Sequence, residues 1–188
     1  MSKPPIRIGI VGVGKIVRDQ HLPALAANGD FVVTAAASRN AQVDGLANFK
    51  TIEEMLENGP ELDAVSLCMP PAARYEAAVA AIDARKHVFM EKPPGATVSE
   101  VEDLIARAEN AGVTLFASWH SRYAPAVENA RVFLASATVR SARLSWKEDV
   151  RRWHPNQDWI WQPGGLESRR TSSARRPPEA PPDHPDPG

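Results

Sequence analysis

The first 118 residues alternate between short apolar runs and longer segments of mixed polarity. The apolar runs occupy residues 6–11, 31–37, 63–69, 87–90 and 113–117. Gly, Pro, Asn or Ser residues lie next to most of their ends. An apolar run of this length is typical of a strand that is buried on both faces of a parallel sheet. The pattern therefore predicts parallel strands at these places.

The mixed segments between the runs carry the spacing and end signals of helices. Helices are predicted over about 15–27, 51–56, about 73–85, 98–111 and 125–135. Pro23 lies inside the first of them and is predicted to kink or shorten it. Thr51 and Glu54 match a capping box at the start of the second.

The segment 98–111 has the most regular helical pattern. Ser99 and Glu102 are predicted to form its capping box, and Gly112 is predicted to end it. Five apolar positions are predicted to share its buried face, namely Val98, Val101, Leu104, Ile105 and Ala108.

Strands that alternate with helices at this spacing predict an α/β fold, a Rossmann-type parallel sheet with helices on both faces. We place this domain at residues 1–120. Residues 138–146 alternate in polarity and predict a strand of a second sheet. We therefore assign residues 121–166 to the start of a truncated α+β substrate domain.

The stretch 6–17, IRIGIVGVGKIV, predicts a strand, a tight turn and the first turn of a helix. Gly12 and Gly14 occupy the first two glycine positions of a G-x-G-x-x-G turn. The first allows a sharp reversal, and the second lets a pyrophosphate approach the backbone. Val17 occupies the third glycine position, so the match is imperfect. The alternative is an ordinary turn of any α/β protein.

The second strand ends at Ser38-Arg39, where NAD-binding Rossmann units usually have a carboxylate for the ribose 2′-hydroxyl. A hydroxyl and a guanidinium suit a 2′-phosphate instead. We therefore favour NADP over NAD as the cofactor. The alternative is that Arg39 is a solvated loop residue.

Several chemically distinctive residues are predicted to lie at the carboxyl ends of strands, the sheet edge where cofactors bind in such folds: Gly12, Ser38, Cys68, Glu91 and Ser118. Lys92 lies beside Glu91 and before two prolines. A partly desolvated lysine there is able to accept a proton from a substrate hydroxyl. The alternatives are a surface lysine for Lys92 and a small buried hydrophobic residue for Cys68.

Several motifs together resemble the Gfo/Idh/MocA oxidoreductase family. They are G-x-x-G-x-G at 9–14, K-H-V-x-x-E-K-P at 86–93, and the longer strings at 14–16, 19–21, 119–125 and 146–155. The resemblance extends from residue 6 to about residue 166. Met69 and Arg74 depart from it, because the wider family often has Thr and His at these places.

The resemblance implies NAD(P)-dependent oxidation of an aldose, such as L-arabinose or D-galactose, at C1 to a lactone. Lys92 matches the catalytic lysine of the family. His120, Glu148 and His154 match positions expected to face the sugar, although each histidine has a structural role as its alternative. The implied cofactor-binding residues are Gly12, Gly14, Lys15, Ile16, Ser38, Arg39, Cys68, Pro70, Glu91 and Lys92.

Composition narrows the classes of partner. The net charge is −1, which does not favour nucleic acid or an acidic membrane surface. A single cysteine excludes an internal disulfide and a cysteine-rich metal site. No apolar run approaches the length of a membrane span, and the first 20 residues lack the apolar core of a signal peptide. We expect a cytoplasmic protein, no resident metal and, for an intact version, a possible homo-oligomer.

The last 22 residues, 167–188, have a different composition, with six prolines, four arginines and no aromatic residue. Such a segment is predicted to be disordered. We interpret it as an out-of-frame reading after Leu166, with a genuine disordered tail as the alternative. The loss of the remaining substrate domain is predicted to impair activity. A non-catalytic dinucleotide-binding remnant or regulator therefore stays open as a second function.

Overall fold

A computed structural model describes residues 3–143 together with residues 145, 147 and 149. Its central feature is a parallel sheet of six strands with the order β3-β2-β1-β4-β5-β6. The strands are β1 Ile6–Val11, β2 Phe31–Ala37, β3 Ala47–Phe49, β4 Ala64–Leu67, β5 His87–Met90 and β6 Leu115–Ala117. This is the strand order of a doubly wound dinucleotide-binding sheet, which confirms the predicted fold class.

The helices are α1 Leu22–Ala26, α2 Ile52–Asn58, α3 Arg74–Asp83, α4 Val98–Ala111 and α5 Pro125–Ser136. Helices α1 to α4 each lie between two strands in the chain, and α5 follows the last strand. A π-helical turn spans Val17–His21, and 3₁₀ turns span Pro71–Ala73 and His120–Tyr123. No helix in the described part of the chain is long and apolar enough to cross a lipid bilayer.

Two apolar clusters cover opposite faces of the sheet. The larger joins α2, α3 and α4 to β4 and β5 through residues such as Met55, Leu67 and Leu104, all fully buried. The smaller packs the π turn and α1 against β1 and β2 around Ile10 and Val17. Helices therefore lie on both faces, as predicted.

Gly9 allows α2 to pack closely against the middle of β1. A Cβ at this position would lie 2.8 Å from Leu62 Cδ1 and 2.9 Å from Met55 Cε. Since real carbon contacts are not this short, Gly9 has a packing role rather than a role in the turn.

The first helical segment differs from a plain α-helix. The N–H of Leu22 donates to the carbonyl of Val17, an i→i+5 bond, and Pro23 follows directly. Pro23 lacks an N–H group, so the helix cannot keep regular i→i+4 bonding through this position. The predicted distortion therefore takes the form of a π turn, and Val17 begins that turn fully buried.

The strand β3 was not predicted. It has only three residues, pairs with β2 at the edge of the sheet, and only Phe49 is partly buried. Because an edge strand needs no continuous apolar run, its sequence A-N-F lacks the signal used for the other strands.

The predicted cap of α4 was two residues too late. Thr97, not Ser99, caps the helix, since its hydroxyl accepts from the Glu100 N–H and Glu100 bonds back to the Thr97 N–H. Thr97 has the extended backbone of an N-cap, whereas Ser99 is already helical. At α2 the predicted Thr51 cap is confirmed, but Glu54 accepts from Lys50 N instead of closing the box on Thr51.

The buried face of α4 is narrower than predicted. Leu104 and Ala108 are buried, but Val98 is 74% exposed and Ile105 is 45% exposed. The helix packs mainly against α3 and β6 near one end of the sheet, so only part of its apolar stripe has a partner there.

The predicted helix at 125–135 is present as α5, whereas the predicted strand at 138–146 was wrong for the residues that the structure describes. The described positions from 138 to 145 are not assigned to a strand. An alternating pattern fits a strand only where a neighbouring strand accepts its hydrogen bonds. The boundaries predicted at residues 120 and 166 stay predictions.

Candidate functional site

The carboxyl ends of the strands line one edge of the sheet. Gly12, Ser38, Cys68, Glu91 and Ser118 lie at this edge, as predicted, and each comes directly after a strand. Backbone bonds hold these residues in register, since each N–H donates to the end of a neighbouring strand at 2.8–3.1 Å. This edge is where doubly wound sheets bind their ligands.

Gly12 turns the chain at the end of β1. Its φ is +89°, and a Cβ there would lie 2.7 Å from Met69 N. The Gly14 N–H donates to the Gly12 carbonyl at 2.9 Å, which closes the turn. A Cβ at Gly14 would contact no protein atom within 4 Å. Gly12 is therefore required by the protein backbone itself. Gly14 instead faces open space, which allows a ligand to contact the backbone at Gly14.

A cavity of about 380 Å³ opens beside this turn. It lies between the ends of β1, β2, β3 and β4 and the first turns of α2 and α3. Its wall includes Gly12, Ser38, Arg39, Lys50 and Pro70. Backbone from the glycine turn thus lies beside a hydroxyl and two cationic side chains, a set that suits a nucleotide with phosphate groups.

Glu91 connects the end of β5 to the π turn. Its Oε1 lies 2.8 Å from His21 Nε2, and its Oε2 accepts from the Lys92 N–H at 3.1 Å. His21 is largely buried and packs edge-on against Phe89, with ring centroids 5.8 Å apart. Both carboxylate oxygens are thus used within the protein, so Glu91 fixes the backbone next to Lys92.

Lys92 itself is exposed at the strand edge, not partly desolvated as the sequence predicted. It follows β5 directly, and the peptide bond that joins it to Pro93 is cis. The prolines after Lys92 limit the backbone, but they do not cover its side chain. The position at the carboxyl edge is as predicted, while the side chain is open to solvent.

Arg74 lies beneath this segment and is only 2% exposed. Its guanidinium donates to the carbonyls of Glu91 and Pro93, on either side of Lys92, and to the carbonyl of Met69. Burial lowers the pKa of Arg74. One buried cation therefore links the segment after β4 to the segment that carries Lys92.

Cys68 belongs to the strand edge but does not line the cavity. Its Sγ lies 3.4 Å from Ser66 Oγ and 3.8 Å from His21 Nε2. Burial raises the pKa of the Cys68 thiol to about 11. The thiol is therefore protonated at neutral pH and packs against His21.

The other predicted site residues are placed as follows. Lys15 and Ile16 begin the first helical segment, and Lys15 forms an ion pair with Asp19 on the same exposed surface. His120 is exposed in the 3₁₀ turn after β6, the strand next to β5, and so shares the edge with Lys92. Glu148 and His154 lie outside the described residues. Within those residues no group of three or more His, Cys, Asp or Glu side chains suits a metal ion.

The opposite edge of the sheet carries a separate charged cluster. Arg7 donates to Asp63 at 2.7 Å and 2.9 Å and to Glu61 at 2.5 Å. The Arg7 hydrogen bonds hold the pKa of Asp63 well below its usual range. This cluster joins β1 to the start of β4 and lies away from the cavity.

The strand order, the glycine turn and the cavity at the carboxyl edge together define a dinucleotide-binding domain of the Rossmann type. No metal is needed for this assignment, and Gly14 and the cationic wall fit a dinucleotide phosphate.

Comparison with known proteins agrees with the assignment of a dinucleotide-binding domain. Residues 6–118 match the family described as oxidoreductases with an NAD-binding Rossmann fold, Gfo/Idh/MocA, and the chain belongs to this family. Galactose 1-dehydrogenase from Pseudomonas fluorescens is 46% identical over 160 residues, which cover 85% of this chain and 52% of the relative.

A crystal structure of D-galactose-1-dehydrogenase from Rhizobium etli superposes with a TM-score of 0.78 at 64% identity, over 88% of this chain and 53% of that one. The chain thus spans about half the length of the relatives that it matches.

Three features of the site were not predicted from the sequence. Arg74 was noted only as a departure from the family, and its three backbone bonds join segments far apart in the chain. His21 belongs to one of the motifs of the family resemblance, but no role is predicted for it. The available signal is a histidine in the first helical segment together with a glutamate directly after a later strand. Lys50 was missed because β3 was missed.

Proposed function

We propose that this chain provides the dinucleotide-binding half of an NAD(P)-dependent aldose 1-dehydrogenase, with D-galactose as the favoured substrate, L-arabinose as the alternative, and NADP as the favoured cofactor. The observation that carries the proposal is the position of Lys92 on the edge that also holds the dinucleotide cavity. The similarity to two galactose 1-dehydrogenases supports the substrate.

The cavity wall supports NADP. Ser38 and Arg39 follow β2 and line the cavity, where a carboxylate would otherwise accept a bond from a ribose hydroxyl. Among the described residues the Arg39 guanidinium forms no ion pair, so its charge is available to a phosphate. The turn at Gly12 and Gly14 contributes the backbone surface for the pyrophosphate.

Lys92 has the acid–base role in this proposal. Gly12, Gly14 and Arg39 would hold the dinucleotide, and its nicotinamide would supply the hydride acceptor for C1 of the sugar. Lys92 Nζ would accept the proton of the C1 hydroxyl as the C1–O bond becomes a carbonyl, so that the products are a lactone and the reduced cofactor. The bonds from Glu91 and Arg74 hold the backbone on both sides of Lys92.

The proposal includes the sugar contacts that the resemblance implies. His120 lies on the same edge as Lys92 and offers ring nitrogens to sugar hydroxyls. Glu148 and His154 are proposed as further contacts. Several fixed donors and acceptors are needed because a sugar carries many hydroxyl groups.

The test is the sugar-dependent rise in NADPH absorbance with the purified 188-residue chain, together with NADP binding by calorimetry. The chain spans about half the length of the galactose 1-dehydrogenases that it matches. We therefore expect D-galactose to give only a low rate, which Lys92→Met abolishes and Lys86→Met preserves. Lys86 precedes β5, so the control lysine lies at the other end of the same strand.

The two measurements separate the parts of the proposal. NADP binding without any sugar-dependent reduction would overturn the dehydrogenase activity and leave a dinucleotide-binding protein. A rate that Lys92→Met leaves unchanged would overturn the role of Lys92 alone.

A further inference from the structure

Lys50 lies next to the predicted 2′-phosphate residues because of the strand that the sequence did not reveal. In the parallel pairing of β2 with β3, Ala37 lies opposite Phe49. The Ser38 N–H donates to the Phe49 carbonyl at 2.9 Å, so the chain after β3 runs beside the chain after β2. Lys50 Nζ in turn donates to the Arg39 carbonyl at 3.4 Å.

The backbone of Lys50 is fixed, whereas its charge is not neutralised. Glu54 Oε2 accepts from the Lys50 N–H at 3.0 Å, and the Thr51 hydroxyl caps the helix that follows. The only bond of the Lys50 ammonium within the described residues is to a neutral carbonyl. A positive charge held in this way beside Arg39 is able to bind an anion in the cavity.

The same cavity also contains the carboxylates Glu53 and Glu76. These groups would repel a phosphate and accept bonds from hydroxyls, which is the arrangement that favours NAD. The choice between the two cofactors therefore depends on whether Arg39 and Lys50 together outweigh the carboxylates. One exposed arginine opposed by two carboxylates would give little preference, whereas two adjacent cations favour a group of charge about −2.

We propose that Lys50 is the second cation of a 2′-phosphate site formed with Ser38 and Arg39, and that it determines the preference of this domain for NADP over NAD. This inference rests on the proposed function only in requiring that the cavity binds a nicotinamide dinucleotide. It adds a residue that follows β3 to the two residues after β2 that the sequence identified.

The test is calorimetric titration of the full chain with NADP, NAD and adenosine 2′-phosphate. Lys50→Gln keeps a polar, slightly shorter side chain and removes its charge. We expect Lys50→Gln to weaken binding of NADP and of adenosine 2′-phosphate by about tenfold or more, to leave NAD affinity within about twofold, and to reduce the salt dependence of NADP binding.

Lys86→Gln is the matched control, since it removes the same charge near the opposite edge of the sheet, and it is expected to change neither affinity. Glu53→Gln is expected to improve NADP affinity if the carboxylate opposes the phosphate. A loss of NADP and NAD affinity by the same factor in Lys50→Gln, or no change in either, overturns the role of Lys50.

The failure of the proposed function has a different signature. A wild-type chain that binds NAD and NADP equally well, with Lys50→Gln unchanged, overturns this inference and the preference for NADP, but leaves dinucleotide binding and the dehydrogenase proposal intact. A folded wild-type chain that binds neither dinucleotide nor adenosine 2′-phosphate overturns both.

Discussion

His21 Nε2 lies 2.8 Å from Glu91 Oε1, although the two residues are 70 positions apart in the chain. The bond joins the π turn after the glycine loop to the residue before Lys92. Glu91 also accepts from the Lys92 N–H. The His21 imidazole therefore fixes the backbone at Lys92 through the carboxylate of Glu91. The segment after β1 is thereby connected to the segment after β5 at the carboxyl edge of the sheet.

His21→Ala is therefore expected to loosen the segment that carries Lys92. A hydrogen bond to a charged group contributes about 1.5–3 kcal/mol, so local opening should become at least about tenfold more frequent. Hydrogen exchange of residues 91–95, followed by mass spectrometry, measures this. His87→Ala is the control, because His87 bonds to Thr114 N at the far end of the sheet. Equal exchange at 91–95 in both variants would contradict the connection.

Arg74 is expected to be essential for stability. Arg74→Ala removes the buried guanidinium that donates to three carbonyls and should lower the free energy of unfolding by about 3 kcal/mol or more. Arg74→Lys keeps the charge but not the planar fork, so an intermediate loss is expected. Urea denaturation measures both.

Arg107→Ala provides the comparison for Arg74. Arg107 pairs with Asp103 on an exposed helix surface, and the loss should stay below about 1 kcal/mol. Similar losses for Arg74→Ala and Arg107→Ala would show that the buried guanidinium has no special role.

The two glycines of the turn are expected to respond differently to alanine. Gly12→Ala forces a Cβ against Met69 N at a positive φ, and should cost about 2 kcal/mol or more. Gly14→Ala meets no protein atom, so stability should change by less than about 0.5 kcal/mol while dinucleotide affinity falls. Thermal melts and calorimetric titration distinguish the two effects. A destabilised Gly14→Ala, or one with unchanged affinity, would be the contrary result.

Low pH should remove the contribution of the Arg7–Asp63 pair to the free energy of unfolding. Because hydrogen bonds from Arg7 hold the folded-state pKa of Asp63 below its unfolded value of about 3.9, the pair stabilises the fold fully above that value. The stabilisation declines as the pH falls further. Asp63→Asn should therefore be less stable than wild type at pH 6, with the difference shrinking toward pH 3. A difference independent of pH would contradict this assignment.

The apolar runs by themselves determined most of the sheet. Residues 6–11, 31–37 and 87–90 became strands with the predicted bounds, because a run buried on both faces has few other structures open to it. The residues directly after the strands were also predictable, since a parallel sheet puts all these ends on one edge. The glycine turn and Ser38-Arg39 could therefore be placed in a common site before any coordinates.

The tertiary structure decided what depends on neighbours distant in the chain. β3 exists only because β2 offers it a partner, and through β3 Lys50 comes to lie beside Arg39. The exposure of Lys92 and the bonds of Arg74 and His21 are likewise set by packing between segments, which no local pattern encodes. The sequence determined which residues reach the edge of the sheet, while the long-range contacts decided how they are held there.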